Sequence, residues 1–257
     1  MSRPAQPSPP PSLSLVVPAY NEAGRIAATL REATAFLAEQ PFASELILVD
    51  DGSTDETARV ARETLAGRPN ARVLAIPHGG KAAAVRAGMA EARLEQVAFS
   101  DADLATPLAA LHELRAALAA GCDVAIGSRE GTGASRIGEP LYRHLMGRAF
   151  NGLVWVLLLR GIRDTQCGFK LFRREAARAI LARSRLYRDG APVSGPRVTA
   201  FDVELLVVAR GLGLRVCPVP VVWTYGAGSK VHPMKDSWHN MRDVLRVWTH
   251  RKRGRYR

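Results

Sequence analysis

The chain has 257 residues, 47% of them apolar, enough to bury one large core, and this excludes a disordered class. Lys and Arg outnumber Asp and Glu by 36 to 24, for a formal charge of +12 and a pI near 10.4, a balance that favours polyanionic partners such as nucleic acid, an anionic membrane face or phosphate-bearing substrates. The longest apolar run, residues 153–159, is closed by Arg160 and falls far short of the ~20 residues of a bilayer-spanning helix, so membrane contact is expected to be peripheral.

Residues 1–12 are dominated by Pro and Ser and lack the apolar stretch of a secretory signal, which reads as a mobile leader on a cytoplasmic protein. Strand-like apolar runs follow at 13–17, 46–49, 73–76, 97–99 and 124–126. Ala-rich stretches with helical spacing lie between them, near 22–39, 55–66, 80–93 and 107–120. This alternation predicts an α/β domain with a mostly parallel sheet and helices on both faces. The second half is less regular. Residues 139–160 read as a helix, 164–173 mix turn and strand signals, 200–212 read as an amphipathic helix, and 216–222 as a Pro-interrupted edge strand. Met234, Trp238, Met241, Leu245 and Trp248 then form one helical stripe, with Lys235, His239, Arg242 and Arg246 on another face. The expected organisation is a leader at 1–12, one catalytic domain at 13–230, and a basic amphipathic helix and tail at 231–257. Cys122, Cys167 and Cys217 lie far apart without a Cys-x-x-Cys pair, so three reduced, partly buried thiols are expected.

Each early strand ends in a polar cluster: Asn21-Glu22, Asp50-Asp51-Gly52-Ser53, His78-Gly79-Gly80-Lys81, Asp101-Ala102-Asp103 and Gly127-Ser128-Arg129. Any one of these is explained as a turn or a helix cap. Five at the carboxyl ends of parallel strands are expected to converge on one crevice.

Two common nucleotide sites are excluded. The turn after the first strand has no glycine, so the dinucleotide fingerprint is missing. Gly80-Lys81 lacks both the first glycine of a phosphate loop, where Ala75 stands, and its hydroxyl, where Ala82 stands. Asp101-Ala102-Asp103 is the sharpest positive signal. On an extended segment residues i and i+2 project to one side, and two adjacent carboxylates suit Mg²⁺ or Mn²⁺, which fills its other positions with water and phosphate oxygens. Asp50 and Asp51 can accept hydrogen bonds from base or ribose.

Taken together, Val17-Pro18-Ala19-Tyr20-Asn21-Glu22, Val49-Asp50-Asp51-Gly52-Ser53-Thr54-Asp55, Gly80-Lys81 with Ala84-Val85-Arg86-Ala87-Gly88, and Asp101-Ala102-Asp103 resemble family 2 glycosyltransferases of the GT-A (Rossmann-like) fold. Ile126-Gly127-Ser128-Arg129, Asp164-Thr165-Gln166-Cys167-Gly168-Phe169-Lys170-Leu171-Phe172 and Phe201-Asp202-Val203-Glu204-Leu205-Leu206 are similar to the polyprenyl-phosphate branch. The middle stretch is nearer to dolichyl-phosphate β-glucosyltransferases than to mannosyl enzymes. His78 and Ala82 stand where the family usually has Asn and Gly around the lysine.

The resemblance implies an inverting transfer of a hexose, glucose from UDP-glucose being favoured, onto a polyprenyl or dolichyl phosphate. It implies Pro18, Tyr20, Glu22, Asp50, Asp51, Lys81 and Asp101 at the nucleotide sugar and Asp101 and Asp103 at the metal. Arg129 is the first choice for the acceptor phosphate, because guanidinium binds phosphate in a bidentate way; Arg143, Arg148, Gln166 and Lys170 are further candidates. Asp103, Arg129 and Asp202 are the expected catalytic residues, Asp202 lying where relatives acting on hydroxyls place their base. The 153–159 stretch, the basic stripe and the tail from Arg251 are candidates for contact with an anionic membrane surface. Three alternatives remain at this stage: transfer to a soluble or polysaccharide hydroxyl, a sugar nucleotidyltransferase, and nucleic-acid binding. The second lacks a Gly-rich loop after the first strand, and the third lacks interleaved aromatics, so no nucleic-acid partner is expected.

Overall fold

The computed structural model describes residues 9–188, 199–226 and 233–256, the side chains of 233–237 excepted. Most of the expected leader, at 1–8, and Arg257 of the tail therefore lie outside the described residues, as do the side chains of Met234 and Lys235 on the expected helical faces.

The first half follows the predicted alternation: β1 (Leu13–Ala19), α1 (Ile26–Ala38), β2 (Ser44–Asp51), α2 (Thr57–Leu65), β3 (Ala71–Ile76), α3 (Lys81–Glu91), β4 (Gln96–Ser100), a 3₁₀ turn into α4 (Leu111–Ala119), and β5 (Val124–Ser128). Then come β6 (Ser135–Ile137), α5 (Leu141–Leu157), β7 (Phe169–Arg173), α6 (Arg174–Arg183), α7 (Phe201–Gly211), β8 (Val216–Pro220), β9 (Val222–Thr224) and α8 (Pro233–Lys252). Helix α6 and the small β6–β9 pair were not legible in the periodicity.

Among the described residues the main sheet has seven strands in the order β3-β2-β1-β4-β7-β5-β8. β7 alone runs antiparallel, between β4 and β5. Strand order reverses at β1, flanked by β2 on one side and β4 on the other, so a crevice opens at the carboxyl ends of these strands.

Both faces are covered. Leu13, Leu15 and Val17 of β1 join one buried cluster with Leu30 of α1, Ala61 of α2 and Leu114 of α4. Val16 points the other way, into a cluster with Val85 of α3, Ile180 of α6, Leu205 of α7 and Val247 of α8. Alternation by two thus feeds both cores, and strands buried on both faces read as continuous apolar runs. Helix α3 approaches the sheet closely at Gly88, where a Cβ would lie 2.3 Å from Val16 Cγ1. This closeness carries Lys81, at the start of α3, to the crevice.

One expectation is corrected. Cys122 and Cys217 form a disulfide across 95 residues, with Cα atoms 6.2 Å apart, while Cys167 is free and buried. Cys122 precedes β5 and Cys217 lies on its neighbour β8, opposite Ala125; only strand pairing brings them together. Helix α8 leaves much of its apolar stripe exposed, as contact with a surface outside the core would require. It packs through Asn240, Asp243, Val244 and Val247 and leaves Trp238, Leu245 and Trp248 exposed. The tail turns back on the core: Tyr256 is buried, and its Oη donates to Glu204 on α7 at 2.8 Å. Among the described residues no helix is long and apolar enough to cross a membrane.

Candidate active site

A cleft of about 490 Å³ lies at the carboxyl ends of the strands, and residues from all five polar clusters line it. The loops after β1 and β2 are tied together. The backbone N–H groups of Asn21 and Glu22 donate to Ser53 Oγ at 3.0 Å and Thr57 Oγ1 at 2.7 Å, and Thr54 N–H donates to Asn21 Oδ1 at 2.8 Å. Asn21 itself adopts a left-handed turn, with φ of 52°, a conformation that asparagine tolerates well. This turn sets Tyr20 and Glu22 at the cleft, where Arg25 pairs with Glu22 at 3.0 Å.

Asp51 is buried beneath the third cluster. Its carboxylate meets His78 Nδ1 at 2.9 Å and accepts from Gly79 N–H at 2.8 Å. Burial pushes this carboxyl above its ordinary range, against those hydrogen bonds. His78 in turn stacks on Tyr20, ring centres 4.0 Å apart and 12° from parallel. The histidine standing in place of the usual asparagine therefore braces an aromatic wall and the loop leading into α3.

The acidic pair sits differently from the sequence expectation. Asp101 and Asp103 lie just past β4 in a turn, not on an extended strand; Leu104 has φ of 48°, and its N–H donates to Asp101 O at 3.1 Å. Both residues still line the cleft. Asp103 also accepts from Ala105 N–H at 3.1 Å. The crowding of the cleft walls, then the neighbouring charge of Asp101, push the Asp103 carboxyl up. Lys81 forms an ion pair with Asp101 Oδ1. On the other side of Asp101 lies Gly168, where a Cβ would stand 2.0 Å from Oδ2; the glycine leaves the cradle in which this carboxylate rests. Among the described residues no three His, Cys, Asp or Glu side chains gather as metal ligands. The donor set is two carboxylates on one turn, which fits Mg²⁺ or Mn²⁺, since these ions complete their shell with phosphate oxygens and water.

Another part of the cleft wall is cationic and aromatic, formed by Arg129, Arg136, Arg143, Trp223 and Tyr225. Arg129 is engaged in a bidentate pair, Nε to Asp164 Oδ2 at 2.7 Å and Nη2 to Oδ1 at 2.8 Å, with its backbone N–H on the same carboxylate at 2.9 Å. Asp164 is fully buried, and burial opposes its charge; Arg129 more than offsets this and holds the carboxyl down at about 2. Arg136 bridges Glu139 at 2.8 Å and Glu130 at 2.9 Å. Arg143 lies over the Tyr225 ring, 5.2 Å from its centre.

Of the residues expected from sequence, Pro18, Tyr20, Glu22, Asp51, Lys81, Asp101, Asp103, Arg129, Arg143, Gln166 and Asp202 line the cleft, whereas Asp50, Arg148 and Lys170 do not. Asp50 is buried and accepts from Ser53 N–H at 3.3 Å. Arg148 is exposed, 3.8 Å from Glu130. Lys170 lies in β7, aligned with Phe99 on one side and Ile126 on the other, and is fully buried. An ammonium there must be paired: it donates to Asp202 Oδ1 and to Cys167 O, both at 2.5 Å. Lys170 is thus a support beneath the cleft and not a contact for an acceptor phosphate. Arg25, Arg136, Trp223 and Tyr225 were missed. The alternation of Trp223 on β9 with Tyr225 just after it was the one signal available for the last two.

A mostly parallel sheet with a two-carboxylate turn at the end of its central strand, beneath a crevice at the point of strand reversal, is the architecture of a GT-A glycosyltransferase. Among solved structures, glucosyl-3-phosphoglycerate synthase from Mycobacterium tuberculosis, in complex with Mn²⁺, uridine diphosphate and glucosyl-3-phosphoglycerate, superposes with a TM-score of 0.63 at 18% identity, covering 93% of this chain and 80% of that one. Mannosyl-3-phosphoglycerate synthase from Rubrobacter xylanophilus gives 0.63 at 18% identity, covering 95% and 76%. These likenesses establish the fold. Residues 14–181 match the family described as Glycosyl transferase family 2, and the chain belongs to that family. It is 39% identical to dolichyl-phosphate beta-glucosyltransferase of Drosophila melanogaster, over 97% of this chain and 78% of the relative. The Homo sapiens protein of the same description is 37% identical, over 93% and 75%, and that of Saccharomyces cerevisiae 32%, over 91% and 73%.

Proposed function

We propose that this glycosyltransferase moves glucose from UDP-glucose onto the phosphate of a polyprenyl or dolichyl lipid at a membrane surface, with inversion at the anomeric carbon. The observation that carries the reading is the mixed charge of the cleft: Asp51, Asp101 and Asp103 line it together with Arg129, Arg136 and Arg143. The relatives described as dolichyl-phosphate beta-glucosyltransferases support the donor sugar and the acceptor. Tyr20, backed by His78, offers an aromatic face beside Asp51 for the base, and Pro18 and Glu22 border it.

Asp101 and Asp103 would hold Mg²⁺ or Mn²⁺, which when bound supplies electrostatic stabilisation for the charge gathering on the departing diphosphate. In the same cleft, Arg129 and Arg143 orient the acceptor phosphate, Gln166 adding a polar contact. Arg129 does so with the edge left outside its Asp164 pair. A phosphate oxygen is already ionised at neutral pH, so no side chain has to remove a proton. Asp202, with one oxygen held by Lys170, orients the reacting groups instead of acting as a base.

Exposed apolar side chains beside the cleft support the membrane assignment. On α5, Leu141 is 72% exposed and Leu145 58%, while Arg143, Met146 and Phe150 of the same helix line the cleft. The stripe of Trp238, Leu245 and Trp248 on α8 adds a second such face, and helices of this kind lie in the headgroup layer.

The test is transfer from radiolabelled UDP-glucose and GDP-mannose to a short polyprenyl phosphate with Mn²⁺ or Mg²⁺, with and without EDTA. Metal-dependent, organic-extractable product from UDP-glucose is expected. Slow hydrolysis of donor without transfer would overturn the lipid-phosphate acceptor, and product formed with EDTA present would overturn the metal requirement.

A further inference from the structure

The most unusual charge in the cleft is that of Lys81. It is the first residue of α3, directly after Gly80, and a cation at a helix N-terminus opposes the helix dipole, which favours anions there. Carboxylates hold it in place. Its ammonium is ion-paired with Asp101, and Asp103 and Asp202 line the same cleft. Asp101 is enclosed by the same arrangement, with Lys81 on Oδ1 and the backbone at Gly168 against Oδ2.

We propose that Lys81 is the resident counter-ion of the Asp101–Asp103 turn and makes metal binding depend on nucleotide binding, because the divalent cation gains Asp101 only when a diphosphate draws Lys81 away. The inference rests on the reading of Asp101 and Asp103 as the metal ligands. A metal ion arriving alone meets a carboxylate already neutralised and an ammonium at contact distance, and both weaken its binding. A diphosphate reverses the balance. It offers Lys81 a new anionic partner beside the N-terminus of α3, where phosphate is favoured, and frees Asp101. Coupling between two ligands is reciprocal, so each then raises the affinity of the other by the same factor.

The experiment measures Mn²⁺ binding without turnover, from the electron paramagnetic resonance signal of free Mn²⁺, in the wild type, K81M, K81Q and K81R, with and without UDP. Both neutral variants are expected to bind Mn²⁺ alone about tenfold more tightly than the wild type, and the factor by which UDP tightens Mn²⁺ binding is expected to fall about tenfold. K81R, which keeps the charge, should behave like the wild type. Adding D101N to K81M should abolish the gain. If K81M and K81Q bind Mn²⁺ alone no more tightly than the wild type, yet still bind it with UDP, the counter-ion role is wrong while the metal ligands stand. If the wild type binds no Mn²⁺ even with UDP, the assignment of Asp101 and Asp103 fails and the counter-ion role fails with it.

Discussion

The two walls of the cleft are assembled by different means. The acidic wall is delivered by the ends of β1 to β4, each residue lying within a few positions of the strand that presents it. The cationic wall is delivered by Arg129 just past β5, Arg136 on β6 and Arg143 on α5, with Trp223 on β9 and Tyr225 after it, and its strongest cations are already engaged: Arg129 with Asp164, and Arg136 with Glu130 and Glu139. Beneath it, Lys170 is engaged with Asp202. A formal charge of +12 therefore overstates the positive charge a ligand meets. Much of the basic character around the cleft thus fixes side chains in place, while Asp101 and Asp103 remain to be neutralised by Lys81 or by a metal.

The largest expected effect tests the acidic wall. D101N combined with D103N should lower lipid-phosphate glucosylation by about 10³-fold or more, the scale of removing aligned charge stabilisation from a transition state. Activity kept within tenfold of the wild type would mean that the turn does not serve the diphosphate. Next is the support of the cationic wall. K170M leaves Asp202 without its buried partner and should cost about 3–5 kcal/mol in urea unfolding, most of it recovered in K170M/D202L; an unchanged unfolding midpoint in K170M would refute the bracing role.

The Arg129–Asp164 pair predicts a pH dependence. Asp164 is held at about 2 in the folded protein, below the ~3.9 of an unfolded aspartate. Its contribution, about 2 kcal/mol, is complete above pH ~4 and is lost as pH falls towards ~2. Unfolding free energies measured across that window should fall less steeply for D164N than for the wild type, and equal slopes would count against the pair. For the exposed face of α5, L145D should weaken co-sedimentation with anionic vesicles about tenfold, in keeping with the loss of one buried leucine; equal partitioning would move the membrane contact elsewhere. The smallest effect is expected at Arg148. Its pair with Glu130 is exposed and long, so R148A should change stability by less than about 0.5 kcal/mol, and a larger shift would show that it belongs to the Arg136 network.

Much of the acidic wall was legible because its signals are local. Continuous apolar runs, helical spacing between them and polar clusters at the strand ends were enough to foresee β1 to β5 and the convergence of Glu22, Asp51, Lys81 and Asp101. The turn geometry of Asp101 and Asp103 was not, since an Asp-x-Asp stretch is compatible with either an extended or a turned backbone. Arg129 and Gln166 were found from the family likeness, yet nothing linear announced that Arg129 would share its fork with Asp164. Helix α8 shows a comparable limit. Its Trp and Leu stripe was read correctly as a stripe, but which face packs was decided by Val244 and Val247 meeting the core.

By itself, the sequence determined the α/β alternation and the five strand-end clusters, the acidic pair among them, because backbone periodicity and turn chemistry act over roughly ten residues or fewer; the likeness to family 2 came from the motifs themselves. Tertiary structure decided the antiparallel insertion of β7, the Cys122–Cys217 disulfide, and the partners of Lys170 and Arg129. Those contacts join residues 32, 35 and 95 positions apart. At such separations the partner of a charge or a thiol is chosen by which strands lie side by side, and a buried charge takes whichever opposite charge the packing brings to it.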